Sequence, residues 1–266
     1  MITRLTAKSE VENVLSYLKK DIQNCLYIYI DLVRYGITNP NMMVWTSGEQ
    51  GAINSVIMKY HDGFQIYSQE PEPDINDILE LIQEYQPERI SGNEPIIQKL
   101  EPLCKVRYKS SYGVIFRRTK EQLYAMPSER KCEFADFADI PEIVELLLSE
   151  KEFGDYYTKK ELIKQLEDRY QTKMGRSMVI RESGKIVGHV ATFAETDDIA
   201  IASGSVIDKE YRKTDYFYTL SNEFYDQICR VEQKAAYFFS TSRRHITLFR
   251  KLFVVCTSYG KLVKIK

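Results

Sequence analysis

The local clusters of residue types that could move a proton or hold an anion lie in the second half of the 266-residue chain. The three histidines, His61, His189 and His245, are far apart. So are the five cysteines, with no C-x-x-C pair, and neither set has the spacing of a metal site. His189 sits in an alternating apolar stretch and reads as a structural histidine rather than a base. The acidic run Glu195-Thr196-Asp197-Asp198 offers proton acceptors, and it is equally the composition of a solvated turn. Arg212-Lys213-Thr214-Asp215 places two cations before a helix-capping aspartate, and Arg243-Arg244-His245 is a second basic cluster at a helix start. Charge runs of that second kind are usually solvated surface.

Elements that would position these residues follow from periodicity. The first half reads as two helices (9–20 and 22–35, stopped by Gly36), three strands (42–46, 52–60, 64–68), a helix at 74–85, a strand at 88–91, a helix at 94–103 and an extended run at 106–118. The polar stretch 119–130, with Pro127, reads as a linker. Beyond it come a strand at 132–134, a helix opened by Asp139-Ile140-Pro141, and a helix at 158–170 with the capping box Thr158-x-x-Glu161. A meander follows (177–181, 186–194, 199–207), then a helix from 215 to 231, a strand at 235–240, a helix at 244–252 and a closing strand pair around Gly260. The fold class is α/β (α+β), with domains at 1–125 and 126–266.

Composition narrows the function. Lys plus Arg total 37 against 38 Asp plus Glu, for a net charge of −1, so nothing global draws the chain to nucleic acid or to an acidic membrane. No apolar run has the length of a membrane span or a signal peptide, and scattered thiols suit a reducing compartment. The expectation is a cytoplasmic protein that binds neither nucleic acid nor membrane.

The order of elements in the second half resembles that of the GNAT acyltransferases, and three segments carry the likeness. Gly188-His-Val-Ala-Thr-Phe-Ala-Glu195 resembles the third strand of that fold. Val206-Ile-Asp-Lys-Glu-Tyr-Arg212 is similar to its V-x-x-P-E-Y-R turn, and Leu248-Phe-Arg-Lys-Leu-Phe253 to its L-Y-E-K-L-G-F segment. The likeness spans about residue 131 to the end and implies a GNAT-like mixed sheet in the C-terminal domain. The smaller mixed α/β N-terminal domain reads as a degenerate copy, a tandem GNAT-like arrangement without a phosphate loop of its own.

In that family an acyl-CoA lies in a gap between two splayed parallel strands, here 200–207 and 235–240, with its pyrophosphate on the next helix N-terminus. The resemblance therefore implies acetyl-CoA as co-substrate, held by Val206, Ile207, Arg212, Lys213, Thr214, Asp215, Tyr216 and Ser242, and no metal. Arg212 matches the phosphate-loop pattern [QR]-x-x-G-x-[GA], whereas Asp215 and Phe217 occupy its glycine positions. Phe249 replaces the family's proton-donating tyrosine and has no hydroxyl. That leaves Tyr259 as substitute acid and Glu195 as base. The implied reaction is acyl transfer from acetyl-CoA to an amine on a small molecule or peptide. The alternative is a non-catalytic GNAT-fold ligand-binding or protein-interaction module; oligomeric state stays open between monomer and homodimer.

Overall fold

The computed structural model describes residues 2–48, 52–70, 73–122, 130–155, 157–212 and 214–265. The chain forms two compact units. The first comprises 1–116, 239–251 and 255–266, and the second 117–238 and 252–254. The linker expected at 119–130 falls for the most part, at 123–129, outside the described residues.

The first unit is built from β1 (Ile2–Arg4), α1 (Lys8–Lys19), α2 (Ile22–Tyr35), β2 (Met42–Ser47), β3 (Ser55–Tyr60), β4 (Gly63–Ser68), α3 (Ile75–Tyr85), β5 (Arg89–Asn93), α4 (Glu94–Leu100) and β6 (Tyr108–Arg118) as far as Phe116. The second contains β7 (Cys132–Phe134), α5 (Ile140–Leu148), the single turn α6 (Lys151–Gly154), α7 (Lys159–Gln171), β8 (Ser177–Glu182), β9 (Lys185–Glu195), β10 (Ile199–Ile207), α8 (Tyr216–Asp226) with a π-type turn to Val231, and β11 (Ala235–Ser240) as far as Phe238. After β11 the chain forms α9 (Arg243–Phe249) and β12 (Val254–Lys264). Both halves thus repeat one order: strand, helices, three-stranded meander, helix, strand, helix, strand.

Although last in sequence, α9 and β12 from Val255 onward belong to the first unit, unlike a division of the chain at 125/126. There the strand order is β1-β2-β3-β4-β5-β12-β6. β12 runs antiparallel to β5, from Tyr259 opposite Asn93 to Val263 opposite Arg89. The strand pair expected around Gly260 is therefore a correction: β12 passes through Gly260 without turning. Its glycine answers to packing, since a Cβ there would lie 2.9 Å from the Ile97 Cβ on α4. The core of this unit joins Trp45, Ile57, Phe64, Ile66, Ile78, Ile90, Ile97 and Leu262.

In the second unit the strand order is β11-β10-β9-β8-β7. α5 and α7 bury Ile143, Val144, Leu147, Leu162 and Leu166 against Val179, Ile186 and Val206 of the sheet. The Thr158–Glu161 capping box forms, the Thr158 hydroxyl accepting from the Glu161 amide at 3.3 Å. Asp139 does not cap α5; it accepts from the Asp136 amide and from Arg181 at 2.6 Å.

Candidate active site

Two strand pairs shape the middle of the second unit. β10 is antiparallel to β9 and parallel to β11, but its register with β11 covers three rungs only: Ile199–Ala235, Ala200–Ala236 and Ile201–Tyr237. Past Ile201, β10 continues for six residues to Ile207. Within that stretch Ser203 and Ser205 are exposed and Gly204 is half-buried, between the buried pairs Ile201-Ala202 and Val206-Ile207. The register with β9 shifts twice, from Ile201–Ala194 to Ala202–Thr192, and again from Ser203–Ala191 to Val206–His189. The first shift leaves an extra residue on β9, Phe193, and the second an extra residue on β10 beside Gly204. Gly204 has φ +66°, open to glycine and strained for other residues.

A short turn, Lys209–Tyr211, leads from β10 to α8. Arg212 is exposed but engaged at both ends of its guanidinium. Its Nε donates to the Ile207 carbonyl at 3.0 Å, and its terminal nitrogen pairs with Glu150. Thr214 is exposed, and its hydroxyl accepts from the Tyr216 amide at 3.4 Å. Lys213 lies outside the described residues.

Asp215 occupies the N-cap position of α8, yet its side chain makes no cap hydrogen bond. The expectation of a helix-capping aspartate is corrected here: the carboxylate turns to Arg130, whose Nε donates to it at 3.0 Å. Arg130 also lies over the Tyr216 ring, 3.9 Å from its centroid, and donates to the Tyr216 hydroxyl at 2.6 Å. The Tyr216 hydroxyl in turn donates to Glu182. Asp215 is thus paired with a cation instead of capping α8 through its side chain, and the Tyr216 amide finds the Thr214 hydroxyl. Tyr216 itself is buried, so its place in the site is structural. Val206 and Ile207 are buried too, so their side chains are not presented to a ligand.

Glu195 lies at the opposite end of β10, opposite Ala200, where β10 and β11 are still paired. Arg176 donates to it through Nε (2.9 Å) and a terminal nitrogen (3.2 Å), Lys234 at 2.6 Å and the Thr192 hydroxyl at 2.7 Å. Glu232 binds the same Arg176 and, at 3.4 Å, Lys234. Burial raises the Glu195 pKa, but the bonds from Lys234 and Thr192 and the neighbouring charges outweigh it and hold the carboxyl below the usual range. A carboxylate stabilised in this way is a weak base. The geometry gives Glu195 a structural post in an ion-pair cluster.

Tyr259 and Ser242 belong to the first unit, whereas the residues above belong to the second. Tyr259 is buried, its ring 5.6 Å from that of Tyr27, and burial pushes its hydroxyl pKa up. Ser242 is the N-cap of α9, accepting from the His245 amide at 3.4 Å. Phe249 packs edge-on against Phe116, 5.9 Å between centroids, within that unit.

The first unit offers a contrast at the matching place. β4 and β5 run parallel over four rungs, Gly63–Arg89 to Ile66–Gly92. Beyond them the chain closes on itself: the Tyr17 hydroxyl donates to the Asn54 carbonyl at 2.6 Å and accepts from the Gln69 amide at 3.0 Å. Here the aspartate at the helix start does cap, Asp74 accepting from the Asp77 amide at 3.3 Å.

The sequence reading missed Arg130, Glu182 and the bulge at Gly204. Gly204 had a signal, a glycine inside a strand pattern. Arg130 had none, being 85 residues from its partner. Among the described residues no cluster of His, Cys, Asp and Glu could hold a metal, and no helix is long and apolar enough to cross a membrane.

No family model matches the chain, and no curated protein does. Solved structures match it over nearly full length. A GCN5-related N-acetyltransferase from Sphaerobacter thermophilus is 13% identical with a TM-score of 0.66, covering 99% of this chain and 95% of that one. A GNAT-family acetyltransferase from Colwellia psychrerythraea is 10% identical, with a TM-score of 0.61 and 100% coverage of both chains. A tandem GNAT protein from the clavulanic acid biosynthesis pathway is 12% identical, with a TM-score of 0.57 and 98% coverage of both. At such identities the likeness is one of architecture: this chain has the GNAT acetyltransferase fold, shared over almost its whole length with a tandem GNAT protein.

Proposed function

We propose that the second unit binds an acyl-CoA along the open edge of β10 and transfers the acyl group, acetyl in the simplest case, to an amine on a small molecule or peptide. The observation that carries this reading is the parting of β10 from β11 after Ile201, with Ser203 and Ser205 exposed beyond it. An extended amide-bearing chain such as pantetheine can pair with a free strand edge as a third strand would. Arg212, Thr214 and the first-turn amides of α8 then lie where its pyrophosphate would end, and Arg130 offsets the Asp215 charge there. Two charges about 4 Å apart interact by roughly 1 kcal/mol in water and more near a protein surface, so that pairing matters for an anion.

In the transfer, the amine nitrogen attacks the thioester carbonyl and forms the C–N bond. The C–S bond breaks, the electron pair leaves on the CoA sulfur, and the amine proton passes to solvent or to the thiolate. A thiol with a pKa near that of cysteine, about 8.5, leaves tolerably without a proton donor. The absence of a hydroxyl at Phe249 is compatible with that route.

The second reading is a GNAT-fold binding module without catalysis. It is favoured by Glu195, whose carboxylate is committed to Arg176 and Lys234. Thermal unfolding with and without CoA or acetyl-CoA tests binding. A ligand at about 100 times its Kd stabilises the native state by roughly 2.7 kcal/mol. A shift with CoA but no acetylated product from any amine offered supports the binding module. No shift at millimolar CoA contradicts the acyl-CoA reading and favours a module that binds another ligand or a protein.

A further inference from the structure

The imidazole of His189 is 1% exposed and saturated with hydrogen bonds. Its Nδ1 lies 2.7 Å from the Gly204 carbonyl, and its Nε2 2.9 Å from the Ser177 hydroxyl. A carbonyl can only accept, so Nδ1 carries the proton, and the neutral ring accepts from Ser177 at Nε2. Burial holds the ring neutral, with its pKa down at about 4. It is therefore no general base at neutral pH.

Its position is informative. His189 pairs with Val206 across the β9–β10 ladder, directly after the extra residue on β10. At Gly204 a Cβ would meet the His189 Cε1 at 3.1 Å, so the ring seats against the glycine backbone. The bulge thus has two locks: a positive φ that suits glycine and a carbonyl held by a buried imidazole. A bulge without such a partner would leave that carbonyl to rotate toward the β11 side or into solvent.

We propose that His189 is a positioning residue: by holding the Gly204 carbonyl it fixes the β10 bulge and so keeps the exposed edge at Ser203–Ser205 shaped for an extended acyl-carrying chain. This rests on the acyl-CoA reading for its ligand, but not for its structural half, and the test separates the two. Ser177 orients the ring from the other side, as an outer hydrogen-bond partner fixes a functional imidazole elsewhere.

Amide hydrogen exchange and CoA calorimetry are measured on the wild type, His189→Phe, His189→Asn and Gly204→Ala. Asparagine keeps an N–H near the Nδ1 position; phenylalanine keeps the ring volume and removes the donor. In ligand-free protein, His189→Phe and Gly204→Ala should speed exchange at 203–206 by about tenfold or more relative to 199–201, and His189→Asn should restore most of the protection. CoA affinity should fall in the same order. A merely structural role would speed exchange at both segments together and would not be rescued by asparagine. Unchanged exchange at 203–206 in folded His189→Phe overturns the proposal; if that variant does not fold, unchanged exchange in Gly204→Ala does so. Local exchange that responds while the wild type binds no CoA upholds the lock and rejects its acyl-CoA ligand.

Discussion

At the scale of single residues, the carboxylates sort by their surroundings rather than by their positions in sequence. Glu195 accepts from two cations and a hydroxyl, with its side chain 13% exposed. Removing a charge from such a cluster leaves Arg176 and Lys234 partly unpaired. Glu195→Gln should therefore cost about 2 kcal/mol in denaturant unfolding, and a turnover unchanged per folded molecule would confirm a structural post. A hundredfold fall in turnover at full stability would return it to the role of base. Asp31 behaves in the opposite sense. Burial, only partly offset by Gln65 and Arg34, raises its pKa to about 6. The folded state then binds the proton more tightly than the unfolded one, whose aspartate titrates near 3.9. Stability from this group is full below about pH 4 and is lost as pH rises toward 6. Asp31→Asn should raise the Tm at pH 7, by on the order of 2 kcal/mol of stability, and leave it unchanged at pH 4. An equal effect at both pH values would contradict this account.

At the scale of elements, α8 and β12 show where local sequence rules stop. An aspartate before a helix reads as a cap, and Asp74 obeys that rule on α3. Asp215 departs from it because Arg130, held in turn by the Tyr216 hydroxyl on α8, supplies a charged partner from a segment that sequence spacing does not connect with the helix. Arg130→Ala should release the Asp215 carboxylate toward the helix start and weaken CoA binding several-fold in calorimetry. The double variant with Asp215→Gly should recover it, and a double variant as weak as the single one would show that the charge plays no part. Likewise Gly260 looks like turn chemistry, yet its role is contact with Ile97. Gly260→Ala should destabilise the first unit by about 1–3 kcal/mol through overpacking, read as a lower Tm. Periodicity made most helices and strands legible, β10 and β11 to the residue. The two bulges in the β9–β10 ladder were not legible from periodicity, Gly204 alone marking one of them, because a register shift depends on cross-strand partners that period-two alternation does not name.

At the scale of the whole molecule, the repeat of one element order in both halves was legible because hydrophobic periodicity survives where motifs do not. The destination of the last strand was not, since sequence order favours neighbours and β12 instead enters the first unit between β5 and β6. Truncation after Leu252 should accordingly leave the first unit's sheet with two open edges, and lose protection at β5 and at β6 up to Phe116. Retained protection there would deny β12 its place. The two units also differ in what fills the end of their parallel strand pair, the Tyr17 hydroxyl in the first and an exposed edge in the second. The most direct measurement of the central claim is a hydrogen-exchange footprint of acetyl-CoA on the full chain. Binding at the open edge predicts slowed exchange at 203–207 and in the first turn of α8, with β4, β5 and the start of α3 unchanged. Protection confined to the first unit, or no protection at saturating acetyl-CoA, would contradict it.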